Sequence, residues 1–371
     1  ITAGISQVAG GWILELARTV SFQFSIFTID QYAILFAVGV VTALLSLPLL
    51  SAIRDAGSVG VGQFAGIFLR GNPFMAMTSL VKYYSARDEQ STVLTTARMA
   101  NARSRLAVDE MLEALADPRF QVRFEAIISI ARMPLDARLI AALAKILDGN
   151  NPALSVVAAW ALGRLGDEMA VEPLHRGLNS RYRSVQAHSV RALGKLEDVQ
   201  IIPRLLKGLR TEADAGLVLA YASALGNLGA TSATGKLLAL LQNTEDESDR
   251  MELALALARI VGNESHFIQL WRALRGEPTT AAARAVVALK KKLGKHDVAL
   301  AGQLDRCAET LARGDLDEGA RVLGAVIVSL PLAGYGSACA AILHECATHL
   351  VATGAQRQEY LLLALHALDG C

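Results

Sequence analysis

Residues 161–167 read ALGRLGD, residues 192–198 read ALGKLED and residues 224–230 read ALGNLGA. The phrase has looser relatives on both sides: IARMPLD at 130–136, ALARIVG at 256–262 and ALKKKLG at 288–294. Start-to-start offsets are 31, 31, 32, 32 and 32 residues, the regularity of a repeated supersecondary unit. Most copies end on Gly or another turn residue, and a second apolar stretch comes next: AVEPLHRGL after ALGRLGD, VQIIPRLLKGL after ALGKLED. Pro173 and Pro203 fall in the first turn of those stretches, where proline's missing N–H has no intrahelical partner to lose. Polar breaks at Asp117-Pro118, Asn150-Asn151-Pro152, Asn179-Ser180 and 244–249 separate the units. The unit is therefore helix, turn, helix, break. One such hairpin cannot bury its apolar face alone, whereas stacked neighbours bury a continuous core.

The stretches DPRFQVRFEAIISIARM, NPALSVVAAWALGRLGD and SRYRSVQAHSVRALGKLED resemble the HEAT repeat, in the short bacterial form of phycobilin-lyase-like proteins. The resemblance covers residues 105–295 and implies an α-solenoid. The first copy departs from the pattern at Pro134-Leu135 and the sixth at Lys290–Lys292, as terminal repeats often do. A lyase-like role would need a cysteine or acidic group in a pigment groove, and residues 105–295 contain no cysteine.

The composition suits a packed helical protein. Of 371 residues, 53% are hydrophobic and 19% charged, the mean hydropathy is +0.36 and the net charge is +1. These values exclude a disordered chain, a collagen-like one and a strongly basic nucleic-acid binder. The first residue is Ile1, and the chain reads as a fragment of a longer frame with no signal peptide. The cysteines Cys307, Cys339, Cys346 and Cys371 cluster at the C-terminal end without framework spacing, which reads as reduced thiols in the cytoplasm.

Residues 31–53 carry no charge and are bracketed by Asp30 and Arg54, a run long enough for a membrane span of about 20 residues. Residues 1–17 hold one charge, Glu15, and the pair Gly10-Gly11, a small-residue site for close helix packing. Glu15 is a minor candidate for an ionisable group inside a span. The expected fold class is all-α: a transmembrane helical hairpin over 1–54, a juxtamembrane linker over 55–104, the solenoid over 105–295 and a helical extension or degenerate repeats over 296–371. Seven basic residues against three acidic ones between Arg54 and Arg105 place the downstream chain in the cytoplasm. Phe64, Phe68, Phe74 and Met77, in an apolar stretch broken by Gly71-Asn72-Pro73, fit an interfacial elbow or a capping helix.

Two apolar helices with GGW in the first, followed by a HEAT array, look like the end of a major-facilitator-type transporter with a fused HEAT domain. The resemblance implies twelve spans, both termini cytoplasmic and a transport site upstream of this chain. Val322–Leu343 is also free of charge, but Pro331, Gly334 and Gly336 interrupt it, and two packed helices fit better than a third span.

Motifs that carry chemistry are few. HECATH at 344–349 sets its histidines five apart, about 140° around a helix, where a zinc protease needs four. Cys339, Cys346 and His349 fall on one face as soft ligands without a fourth. No phosphate loop or nucleophile elbow occurs, and His188 reads as a structural histidine. The conspicuous feature is a basic cluster: Arg176, Arg181, Arg183, Arg191, Lys195, Arg204, Lys207 and Arg210, opposed only by Glu197 and Asp198. Such a cluster fits a docking surface for an acidic protein, an anionic headgroup or a polyanion, or a solvated face. Farther on, Glu245, Asp246, Glu247 and Asp249 make an acidic turn. The expectation is a non-enzymatic membrane protein without cofactor or metal. Its solenoid binds a protein partner, with the bilayer as a second partner and no sequence-specific nucleic acid. It is read as the tail of a transporter or, alternatively, as a membrane-anchored scaffold or a lyase-like accessory.

Overall fold

The computed structural model describes residues 22–24, 27–29, 40, 82–84, 88–101, 107–293 and 298–370. The chain divides into two compact units, Ile1–Asn72 and Pro73–Cys371. In the first unit, β1 (Phe22–Phe24) and β2 (Phe27–Ile29) pair antiparallel, with Phe22 opposite Ile29 and Phe24 opposite Phe27.

Apart from that short hairpin the described residues are helical, as the all-α reading expects, but the membrane part of the reading is corrected. Among the described residues no helix is long and apolar enough to cross a membrane. The transmembrane hairpin, the transporter likeness, the integral-membrane location and the bilayer as partner are therefore not supported. The charge-free run 31–53 lies outside the described residues apart from Val40, and Glu15 and the elbow at Phe64–Met77 lie outside them altogether. The physical reason is that length and charge test composition, not helix formation. FQF and FTI, which stand beside the run, alternate with period two and pair as strands.

The second unit is built from helical hairpins. An inner row consists of α1 (Glu89–Asn101), α3 (Phe120–Ile130), α5 (Pro152–Leu165), α7 (Arg183–Lys195), α9 (Ala215–Asn227) and α11 (Glu247–Val261), each packed on the next. The outer helices are α2 (Val108–Ala116), α4 (Ala137–Leu147), α6 (Val171–Gly177), α8 (Ile202–Thr211) and α10 (Thr234–Asn243), each packed on the inner helix that succeeds it in the chain. α1 thus joins the stack from within the range read as linker.

The repeated phrase has a structural meaning residue by residue. Its glycine is a contact point. A methyl group on Gly163 would lie 2.8 Å from the Ala192 Cα, one on Gly194 2.7 Å from the Ala224 Cα, and one on Gly226 2.8 Å from the Ala256 Cα. Each copy's glycine therefore seats on the first alanine of the next copy, and the inner helices approach to backbone contact. The phrase's leucines, Leu162, Leu193, Leu225 and Leu257, are all fully buried. Its closing aspartate caps the next helical turn: Asp136, Asp167 and Asp198 accept from the backbone N–H groups of Arg138, Met169 and Gln200. One position earlier the chain turns through left-handed backbone, at Gly166 (φ +73°) and Glu197 (φ +56°).

The sixth phrase does not extend this stack. Beyond α11 come α12 (Glu264–Gly276), α13 (Pro278–Leu293), α14 (Val298–Ala312), α15 (Leu316–Ser329), α16 (Ser337–Thr353) and α17 (Gln358–Gly370). The next neighbour of α11 in the inner row is α17, which also packs on α12, α13 and α16. Every residue from Glu359 to Leu368 is buried, so α17 is a central helix with no solvent face. Where the stack ends, the phrase carries Ala258 in place of glycine, and the His366 ring of α17 meets the Ala258 carbonyl at 3.3 Å. Val322–Leu343 divides between α15 and α16 across a short 3-10 turn, Leu332–Gly334.

Candidate interaction surface

The eight basic residues are distributed over three elements and the turns between them. Arg176 lies on the outer helix α6. Arg183, Arg191 and Lys195 lie on the inner helix α7, with Arg181 just before it, and Arg204, Lys207 and Arg210 lie on the outer helix α8.

Several are engaged inside the fold. The Arg176 guanidinium donates to Asp148 at the end of α4, 2.9 Å. That bond raises the guanidinium pKa further above its ordinary value. Arg204 donates to Asn179 Oδ1 (2.9 Å) and to the Leu178 carbonyl (3.2 Å), tying α8 to the end of α6. Arg183 pairs with Glu212 at 3.1 Å, and Arg191 reaches from α7 to Glu252 on α11 at 2.7 Å. Arg181 lies over the Tyr182 ring, 4.7 Å from its centre. The same bracing occurs outside the cluster, where Arg138 of α4 holds Asp109 of α2 at 2.7 Å and Lys236 of α10 holds the Leu206 carbonyl of α8 at 3.2 Å.

Lys195, Lys207 and Arg210 are different. All three are exposed, and among the described residues none has a carboxylate within ion-pair distance. Lys207 and Arg210 stand three apart on α8, on neighbouring positions of one face. Lys236 of α10 adds a third charge to the side that Lys207 and Arg210 occupy. Its ammonium pKa is lowered, first by desolvation and then by Arg210. The structure thus separates cations that hold repeats together from cations that face outward.

Residues 140–222 match the family model of HEAT repeats. The matched stretch runs from α4 into α9 and contains all eight basic residues. No curated protein matches the chain. The HEAT stretch is a helical repeat scaffold, an architecture that commonly binds protein partners.

The other candidates resolve into packing. Cys307 and Cys346 are free and buried, whereas Cys339 is disulfide-bonded, which corrects the reading of four reduced thiols. Burial alone pushes the Cys307 thiol up to about 12, and Cys346 is also pushed up, burial first and Glu345 second. Neither is poised as a thiolate. His349 pairs with Glu345 at 3.0 Å and stacks on Tyr360 with ring centres 4.0 Å apart. His188 contacts the Ser184 carbonyl of its own helix at 2.9 Å. Among the described residues no three His, Cys, Asp or Glu side chains are grouped to hold a metal ion.

The sequence reading missed a cleft at the far end of the array. It has a volume of about 1020 Å³ and lies between α11, α12 and the start of α17. Phe267 and Trp271, one helical turn apart on α12, and the acidic turn before α11 were its signals in the sequence.

Proposed function

We propose that the chain is a protein-binding scaffold and that an acidic segment of its partner docks on the outer side of α8 and α10. The observation that supports this reading is the set of exposed cations Lys207 and Arg210, beside Lys236, with no carboxylate opposite them among the described residues. A row of like charge on a rigid helix costs stability unless something else compensates it. The bracing arginines Arg176, Arg183, Arg191 and Arg204 position the helices, and the outward cations supply the recognition field. No catalytic role is assigned to any residue.

The test compares the whole chain with the double variant Lys207→Glu, Arg210→Glu. Both are immobilised and exposed to extract of the source cells at low and moderate salt. The expected result is at least one acidic protein retained by the wild type, lost from the variant and released by salt, while the melting temperatures of the two agree. An identical set of bound proteins on both would refute the assignment of these cations.

A further inference from the structure

The cleft between α11, α12 and α17 is a concave surface, separate from the basic side of the array. Its apolar floor is formed by Met251 and Leu255 of α11 with Phe267, Ile268 and Trp271 of α12. Phe267 is fully buried, whereas Met251, Leu255, Ile268 and Trp271 are only partly covered. A partly exposed tryptophan beside a partly exposed methionine and leucine, gathered in one concavity, is the composition of a docking pocket. Its volume of about 1020 Å³ stands at the top of the range of ordinary ligand pockets, roughly 300–1,000 Å³.

The charge around the floor has one dominant sign. Asp246, Glu247, Glu252 and Glu359 line the cleft, against Arg250 and Arg275. Both arginines are already engaged. Arg250 holds the buried Glu359 at 2.6 Å and also donates to the Glu245 carbonyl, and Arg275 lies over the Trp271 ring at 5.3 Å. Glu252 is taken by Arg191. Asp246 is exposed and caps α11 by accepting from the Asp249 N–H. Glu247 is exposed with no cation in ion-pair range among the described residues. The rim is thus net acidic, and crowding shows in Asp249, whose carboxyl is raised by desolvation first and by Asp246 and Glu252 next.

We propose that this cleft binds a basic amphipathic segment of a protein partner. An apolar side chain of the segment would sit on Trp271 and Met251, and its flanking Lys or Arg residues would face Asp246 and Glu247. The cleft is complementary to such a segment on both counts, with an apolar floor for the anchor and an acidic rim for cations. A helix laying apolar residues at i, i+3 and i+4 into the floor presents its polar face to that rim. The surface shares no residue with the basic side of α8 and α10, and it selects the opposite charge.

The test uses the full chain and two fluorescein-labelled 16-residue peptides read by anisotropy. One is built of Leu and Lys at helical amphipathic spacing, and the other replaces each Lys by Glu. A third peptide with the Lys content but Ser in place of Leu reports charge alone. The expected result is saturable binding of the Leu/Lys peptide. It should weaken about tenfold in Trp271→Ala and about tenfold in Glu247→Lys, with no binding of the Glu peptide and weak binding of the Ser peptide. Glu247 is exposed and, among the described residues, in no ion pair, so its variant keeps the test valid if Trp271→Ala fails to fold. Equal binding of the Ser peptide, binding of the Glu peptide, or binding unaffected by Glu247→Lys would overturn the proposal, as would no binding at all.

Discussion

A methyl group on Gly163 would fall 2.6 Å from the Ala192 Cβ, and the equivalent approach recurs at Gly194 against Ala224 and Gly226 against Ala256. The array is locked together by main-chain proximity at one point per repeat. A substituent there must move a whole helix, because the atom it meets is backbone and not the end of a flexible side chain. Gly194→Ala is expected to lower unfolding free energy by about 2 kcal/mol, the cost of overpacking a tight site. Gly235→Ala, on α10 with nothing within 4 Å, is expected to raise it by about 0.5–1 kcal/mol through helix propensity. Urea melts of both read the contrast. Equal midpoints would show that the close approach is unimportant.

Glu197 occupies the left-handed backbone position that Gly166 fills one repeat earlier. A residue with a Cβ is strained there by about 1–2 kcal/mol, and glycine's extra unfolded-state freedom returns roughly 0.5–1 kcal/mol of that. Glu197→Gly should therefore stabilise the chain by about 0.5–1 kcal/mol. A lowered urea midpoint would mean that the Glu197 side chain contributes something its geometry does not reveal.

The Arg250–Glu359 pair joins α11 to the first turn of the central helix. Glu359 is 3% exposed and Arg250 15%. Removing one member of such a pair leaves the other charge buried and unpaired, at about 3–5 kcal/mol. Glu359→Ala should show this loss in a thermal melt. Glu359→Leu combined with Arg250→Met should recover most of it. No loss in the single variant, or a double variant no more stable than the single, would refute the account.

His366 is fully buried on α17, its Nδ1 3.1 Å from the His266 Nδ1 and its Nε2 near the Ala258 carbonyl. Its pKa is depressed, by desolvation first, while the Ala258 carbonyl and Asp369 oppose the shift. Lys292 of α13 stands against Asp369 at 3.9 Å, and Asp369 lies 3.9 Å from His266. The native state favours the neutral ring, so the unfolded state binds more protons below the ordinary histidine pKa. The stability contributed is complete above about pH 6.5 and declines as pH falls below it, by at most about 1.4 kcal/mol per pH unit. Urea midpoints at pH 7.5 and 5.5 should differ by more in the wild type than in His366→Leu. Identical slopes would place the acid sensitivity elsewhere.

The repeating part of the fold was legible because one physical constraint recurs every 31 or 32 residues. Gly163, Gly194 and Gly226 mark the contact, Leu162, Leu193 and Leu225 the core, and Asp167 and Asp198 the cap. Beyond α11 the division of Val322–Leu343 into two helices was legible, but the packing of the helices was not. YLLLALHAL of α17 is apolar on all sides, so it offers no face from which to infer neighbours, and its partners Arg250 and His266 lie about a hundred residues upstream. The sixth phrase imitated the pattern in letters, yet α17 took the place beside α11. The basic cluster was visible as composition. Its division into braces and outward cations depended on acids far along the chain, such as Glu252 opposite Arg191, 61 residues away. The charge-free run at 31–53 was read from composition alone, and apart from Val40 it lies outside the described residues.

The central position of α17 also bears on how such a chain can change in size. A whole unit of 31 or 32 residues duplicated between α5 and α11 would meet the same glycine-on-alanine seat at both of its ends, and the chain could lengthen there without redesign. The far end offers no such opening. α11 is already closed by α17, a helix drawn from about a hundred residues farther along the chain, and any newcomer would first have to displace it. The ladder can gain rungs in its middle, but its last rung is bolted from behind.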